Sequence, residues 1–325
     1  MKKYLYIAIA AATLASCSQD EVMEVAQKEA ISFGEAFVGN ATRAAATDPS
    51  YTASTLTEIK VWGAVTGTEG AVEVFANNTV EGTVGQGNVW NCTDRTQYWI
   101  PNAKYNFAAV VDGTVTDLGT DLLPATISYT ASTQKDLLYA KSAEYTGKTT
   151  GNDLVKFDFA HLLSKVKFTA VNTTTDTKYT FDITGLTITN SATSGTVAVP
   201  AKTWTVATDE GSDTPIVFGA IEGVTYQTTP AEGQTATVYE CETEKFLIPE
   251  DFTTTKLNIT FNLVWKYNGK EVATESNLGG SVAVNLQPGN AYNFVISKGL
   301  NTPIQFTVET LPTWTIQSNQ NVTVQ

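Results

Sequence analysis

Alternation with a period of two sets the limits on what this chain can fold into. In Val166-Lys167-Phe168-Thr169-Ala170, and again in Leu257-Asn258-Ile259-Thr260-Phe261-Asn262-Leu263, apolar and polar residues trade places at every step. Successive side chains of an extended strand point to opposite faces, so such a run places apolar residues in and polar residues out. Runs rich in Thr, Val, Ile, Tyr and Phe recur at Leu56–Val65, Lys104–Val111, Lys165–Val171, Tyr179–Thr189, Lys256–Trp265 and Ser281–Leu286, separated by Gly, Asn, Asp and Pro. These are expected strands. Long helical patterns are absent; Phe159-Ala160-His161-Leu162-Leu163 suits one helical turn, and nothing extends it. The expected fold is all-β, with short strands at the spacing of β-sandwiches.

A chain of 325 residues is long enough for two ordinary domains, and its 42% hydrophobic content supplies packed cores. The stretch Tyr145–Asp153 (YTGKTTGND) is the expected linker, giving domains at residues 44–150 and 151–325. Net charge is −13 with only 20 basic residues and no cluster of them, which argues against a nucleic-acid partner and suits an extracellular surface.

The N-terminus reads as an export signal. Lys2 and Lys3 precede an apolar run from Tyr4 to Leu14. That run is shorter than the ~20 residues of a membrane-spanning helix and fits the apolar part of a signal peptide. It ends in Leu14-Ala15-Ser16-Cys17, which looks like a lipobox. Residues 1–16 are therefore expected to be a lipoprotein signal peptide and Cys17 the lipidated N-terminus. The following Ser18-Gln19-Asp20-Glu21 resembles the acidic tether of surface lipoproteins in Bacteroidales. Residues 17–43 form the expected lipidated pro-segment. Within it, Ala30–Val38 is a short strand with Ile31 and Phe33 on one face and Gly34 as a bulge. A loop of small and polar residues, Gly39–Ser50, follows and contains Arg43.

Candidates for chemistry are few. His161 is the sole histidine and sits in an apolar context, which favours a structural role over metal binding or a triad. No Gly-x-Ser-x-Gly or phosphate-cradling Gly loop is present. A carboxylate-pair hydrolase has no positive motif behind it. Asp209-Glu210-Gly211-Ser212-Asp213 is either a solvated loop or a calcium loop. Apart from Cys17, Cys92 and Cys241 either pair in an oxidising compartment or remain single thiols. Tryptophans 62, 90, 99, 204, 265 and 314 could line a carbohydrate surface, but most lie in strand-like runs and are expected in the core. No metal, cofactor or enzymatic activity is expected.

The order of these parts resembles the Bacteroidales fimbrillins, the subunits of type V pili. The resemblance rests on the lipobox, Ile31-Ser32-Phe33 before the Arg-containing loop, Asp136-Leu137-Leu138-Tyr139-Ala140, the run Phe157–Phe168, and Pro288-Gly289-Asn290-Ala291-Tyr292-Asn293-Phe294. It implies two transthyretin-like β-sandwich domains in tandem and an outer-membrane lipoprotein precursor carried to the cell surface. It further implies cleavage between Arg43 and Ala44 by a trypsin-like or Arg-specific protease, with loss of the first strand. A C-terminal donor strand from a neighbouring subunit then fills the groove. In this chain Trp314, Ile316, Val322 and Val324 carry the matching alternation, while Ile304, Phe306 and Val308 either join the donor or complete their own domain. The implied partners are further pilin subunits (a homopolymer, with anchor and tip subunits at its ends) and an adhesion ligand. A glycan-binding surface lipoprotein that keeps its lipid and first strand is the alternative.

Overall fold

The computed structural model describes residues 28–34, 37–38, 56–82, 89–207, 214–227 and 237–311. In the first half the strands are β1 (Phe33–Gly34), β2 (Phe37–Val38), β3 (Glu58–Gly67), β4 (Gly70–Glu81), β5 (Val89–Cys92), β6 (Lys104–Val111), β7 (Thr114–Leu118), β8 (Pro124–Thr130), β9 (Leu138–Lys141), β10 (Tyr145–Thr146) and β11 (Asp158–His161). In the second they are β12 (Ser164–Asn172), β13 (Tyr179–Ile188), β14 (Ser194–Ala198), β15 (Thr203–Val206), β16 (Ile216–Val224), β17 (Tyr239–Glu240), β18 (Lys245–Leu247), β19 (Leu257–Tyr267), β20 (Lys270–Val282), β21 (Ala291–Lys298) and β22 (Gln305–Leu311). Helical content among the described residues is one 3₁₀ turn, Ala131–Thr133. The fold is all-β, built of sheets packed face to face, as the alternation requires.

The second half is a two-sheet sandwich. One sheet runs β17-β12-β21-β22, with β18 also on β12, and the other runs β16-β13-β19-β20. Leu257, Ile259, Phe261, Leu263 and Trp265 alternate inward along β19 and meet Phe168, Phe181, Phe218 and Phe294 in one core. β12 departs from the expected pattern, because Lys165, Lys167 and Thr169 on its polar side are buried as well. Opposite charges explain this: the ammonium groups meet Glu244 (3.1 Å) and Glu240 (2.8 Å) of the adjoining β17–β18 segment. Buried charges are tolerated where they are paired.

β22 pairs antiparallel with β21, and Ile304, Phe306 and Val308 pack on the second core. Ile304–Val308 therefore completes its own domain. The strand expected at Ser281–Leu286 is corrected: β20 ends at Val282, and Val284 and Leu286 lie beyond it, held by Phe252 N–H on Val284 O and Leu286 N–H on Glu250 O. Alternation persists there because all three side chains are buried, without a continuous ladder. The stretch read as a possible helical turn is strand β11 followed by Leu162 and Leu163, both buried.

A nine-stranded sheet, order β1-β5-β4-β3-β6-β9-β11-β2 with β10 on β6, dominates the first half. Both of its faces are buried in the middle. Tyr105, Phe107 and Ala109 of β6 point into one core, while Ala108 and Val110 point into another. The four-stranded sheet β15-β14-β8-β7 covers that second face. Its β14–β15 hairpin comes from residues 194–206, so strands from either side of residue 150 share a sheet. The stretch Tyr145–Asp153, read above as a linker, is built into the first half through β10. Phe157 and Phe159 lie in the first core as well, and at Leu162–Leu163 the chain crosses to the core beneath the β15-β14-β8-β7 sheet.

Candidate assembly groove

The segment just upstream of the Arg43 loop is a structural part of the first core. Ile31-Ser32-Phe33-Gly34 alternates, and Ile31 and Phe33 are the inward pair, 4% and 0% exposed. On one side β1 runs antiparallel to the 89–99 stretch: Phe33 lies opposite Trp90, Gly34 opposite Val89, and Ile31 N–H donates to Gln97 O at 2.8 Å. On the other side Val155 N–H donates to Ser32 O (3.0 Å) and Gly34 N–H to Val155 O (2.7 Å). From Val155 the chain runs into β11, which pairs with β9. The sheet thus curls back on itself, and β1 is the stave that closes it.

Gly34 sits in the ladder rather than in a bulge. A Cβ there would lie 3.3 Å from Lys156 Cγ, a tight fit that suits glycine. The other part of the expected Ala30–Val38 strand, β2, pairs in parallel with β11. The single expected strand is therefore two short ones at different places in the sheet.

Phe33 is caged by aromatic rings. Its centroid lies 5.6 Å from Phe75, 6.1 Å from Phe107 and 6.0 Å from Phe157. Such pairs contribute roughly 0.5–1.5 kcal/mol each beyond their area. A polar latch ends the segment: Glu29 accepts the Asn152 main-chain N–H (3.0 Å) and its side-chain amide (2.8 Å). These bonds, the main-chain one first, hold the Glu29 carboxyl below its ordinary range, with a further contribution from Lys148.

Cys17, Arg43, Ala44, Trp314, Ile316, Val322, Val324 and the loop Asp209–Asp213 lie outside the described residues. His161 is buried, and its Nδ1 sits 2.9 Å from the carboxylate of the fully buried Asp136. The backbone joins the same two segments where Leu162 N–H donates to Leu137 O. Cys92 and Cys241 are free thiols in different cores, so they do not pair. Burial pushes the Cys241 thiol up to about 11. Trp62, Trp90, Trp99 and Trp265 are core residues, as expected for the majority, and Trp204 is half-buried. Among the described residues no three His, Cys, Asp or Glu side chains gather as a metal site. The partners of β1 that sequence reading missed are Val155 and Phe157; their signal is the alternation Val155-Lys156-Phe157-Asp158-Phe159.

The model of the fimbrillin-like family matches residues 42–312. The chain is a member of the fimbrillin-like family. The family match begins downstream of β1 and β2. Among solved structures, the chain is similar to a candidate cell-adhesion protein of Bacteroides uniformis, with 17% identity, a TM-score of 0.51, and 90% of this chain and 99% of that one covered. A second candidate cell-adhesion protein, from Bacteroides ovatus, has 15% identity and a TM-score of 0.51, over 89% and 99% of the two chains. At these identities the likeness is one of fold. No curated protein sequence matches the chain.

Proposed function

We propose that this fimbrillin-like protein is a pilin subunit, without enzymatic activity, that polymerises at the cell surface by donor-strand exchange and serves adhesion. It is exported as an outer-membrane lipoprotein through Cys17 and cut between Arg43 and Ala44. The cut frees residues 17–43, and β1 leaves. The observation that carries this reading is the place of Phe33: a fully buried ring on a strand that lies ten residues before the cut. Withdrawal of β1 leaves the 89–99 stretch and Val155 with open main-chain groups and empties an aromatic cage. An open edge of this kind is an aggregation hazard unless another strand fills it, and a filling strand bonds through the ladder while alternate side chains enter pockets.

The vacated pockets are two residues apart, Ile31 and Phe33. The tail carries two pairs at the same spacing, Trp314 with Ile316 and Val322 with Val324. Each buried apolar side chain stabilises by roughly 1.5–3 kcal/mol, and ordering the tail offsets part of the sum. The alternative of a glycan-binding lipoprotein that keeps its lipid and first strand and binds on a broad tryptophan platform is less well supported, because four of the tryptophans are core residues.

The test is a semi-denaturing gel of surface fractions from wild type, a chain lacking 313–325, and the double variant Ile316→Asp, Val324→Asp. A ladder in wild type that disappears from both variants, with monomer still exported and cut, is the expected result. An undiminished ladder in the truncated chain contradicts donor exchange through this tail.

A further inference from the structure

A cleft of about 430 Å³ lies where the β14–β15 hairpin meets the loops that follow β18 and β20. That volume falls within the range of small-molecule sites, roughly 300–1,000 Å³. Trp204 forms one wall. Its indole N–H already donates to Leu162 O at 2.9 Å, and its ring meets Tyr129 edge-on at 6.4 Å. The ring is therefore fixed in place with its polar need met, and it borders the cleft.

Facing it are groups that form hydrogen bonds and have capacity to spare. Glu250 is half-buried, yet its carboxylate accepts no hydrogen bond from a described residue, and burial raises its pKa. Asn285 Oδ1 accepts from Gln287 Nε2 at 2.6 Å. Both residues line the cleft, and the Asn285 amide N–H groups and Gln287 Oε1 have no hydrogen-bond partner among the described residues. Exposed Lys202 completes the rim without an ion-pair partner among the described residues. The cleft thus combines a rigid aromatic wall with donors and acceptors at its edge, where Glu250 and Asp251 outnumber Lys202.

Few ligand classes match that combination. A pyranose ring has an apolar C–H face and a rim of hydroxyls, each both donor and acceptor. Its apolar face suits an indole, and its hydroxyls satisfy an unpartnered carboxylate as well as amide groups of either polarity. We propose that the cleft is a saccharide subsite, with a pyranose ring against Trp204 and its hydroxyls on Glu250, Asn285 and Gln287. All of the subsite's residues belong to one chain.

The experiment is saturation-transfer NMR on the purified, unpolymerised full-length protein with the methyl glycosides of glucose, galactose, mannose and N-acetylglucosamine. Transfer to the ring protons of at least one glycoside is expected. Glu250→Gln keeps the shape and removes the charge, and it should weaken that binding by about tenfold, the scale of one hydrogen bond to a charged acceptor. Asn285→Ala, at an exposed position, should weaken it too while leaving the melting temperature unchanged. Absence of transfer with all four glycosides, or binding undiminished in both variants, overturns the proposal.

Discussion

The ring of Phe33 stacks on that of Phe157, with centroids 6.0 Å apart and planes 14° from parallel. One ring belongs to the strand before the Arg43 loop and the other to the stretch that enters β11, so this contact couples the N-terminal segment to the first core. Phe33→Ala in the uncut precursor should lower stability by about 3–5 kcal/mol, the usual range for emptying a core Phe site. Urea denaturation of the precursor measures it. An unchanged urea midpoint in the variant precursor would contradict the coupling.

The Glu29 latch should make the hold on β1 depend on acid. Its folded-state pKa is lowered by the Asn152 bonds. The stability it contributes is therefore present above the ordinary carboxylate value and is lost as pH falls through the folded value. Comparing melting temperatures of wild type and Glu29→Gln across that range should show a gap at neutral pH that closes in acid. A gap of constant size would exclude the carboxylate as its source.

A strand with a buried and a wetted face was legible from alternation alone at Leu257–Leu263. Other features were not, because they depend on distant segments. Val197 of β14 finds Ile127 of β8 seventy residues away, a pairing that no local pattern announces. Lys167 read as solvent-facing because burial of a lysine follows from its carboxylate partner, here Glu240, which is remote in sequence. Ile31 and Phe33 were legible as an inward pair, whereas the latch from Glu29 to Asn152 spans more than a hundred residues and leaves no signature in either neighbourhood.

The C-terminal boundary between domain and tail can be placed by truncation. Phe306 packs against the second core, and a Cβ at Gly280 would run into its ring. Removing 305–325 should therefore abolish cooperative unfolding of the second sandwich, whereas removing 312–325 should leave it intact. Gly280→Ala should destabilise by about 1–3 kcal/mol through overpacking. Equal melting behaviour of the two truncations would show that β22 is dispensable to its own domain.

Cys241 should resist alkylation at neutral pH in the native protein and react once the chain unfolds, because burial raises its thiol to about 11 and the thiolate is the nucleophile. Cys92 is likewise shifted up by burial but is partly exposed, so it should react first. Peptide mapping after iodoacetamide treatment distinguishes the two. Labelling of Cys241 ahead of Cys92, or a Cys92–Cys241 disulfide in folded monomer, would contradict the separation of the two cores.

Assembly by withdrawal of β1 requires that the subunit inside a filament lack it. N-terminal sequencing and intact mass of protein from sheared, purified surface filaments test this requirement without any variant. Subunits that begin at Ala44, with no lipid and no residue of β1, are expected. Filament subunits that begin at a lipidated Cys17 and retain Ile31 and Phe33 would contradict the proposal outright.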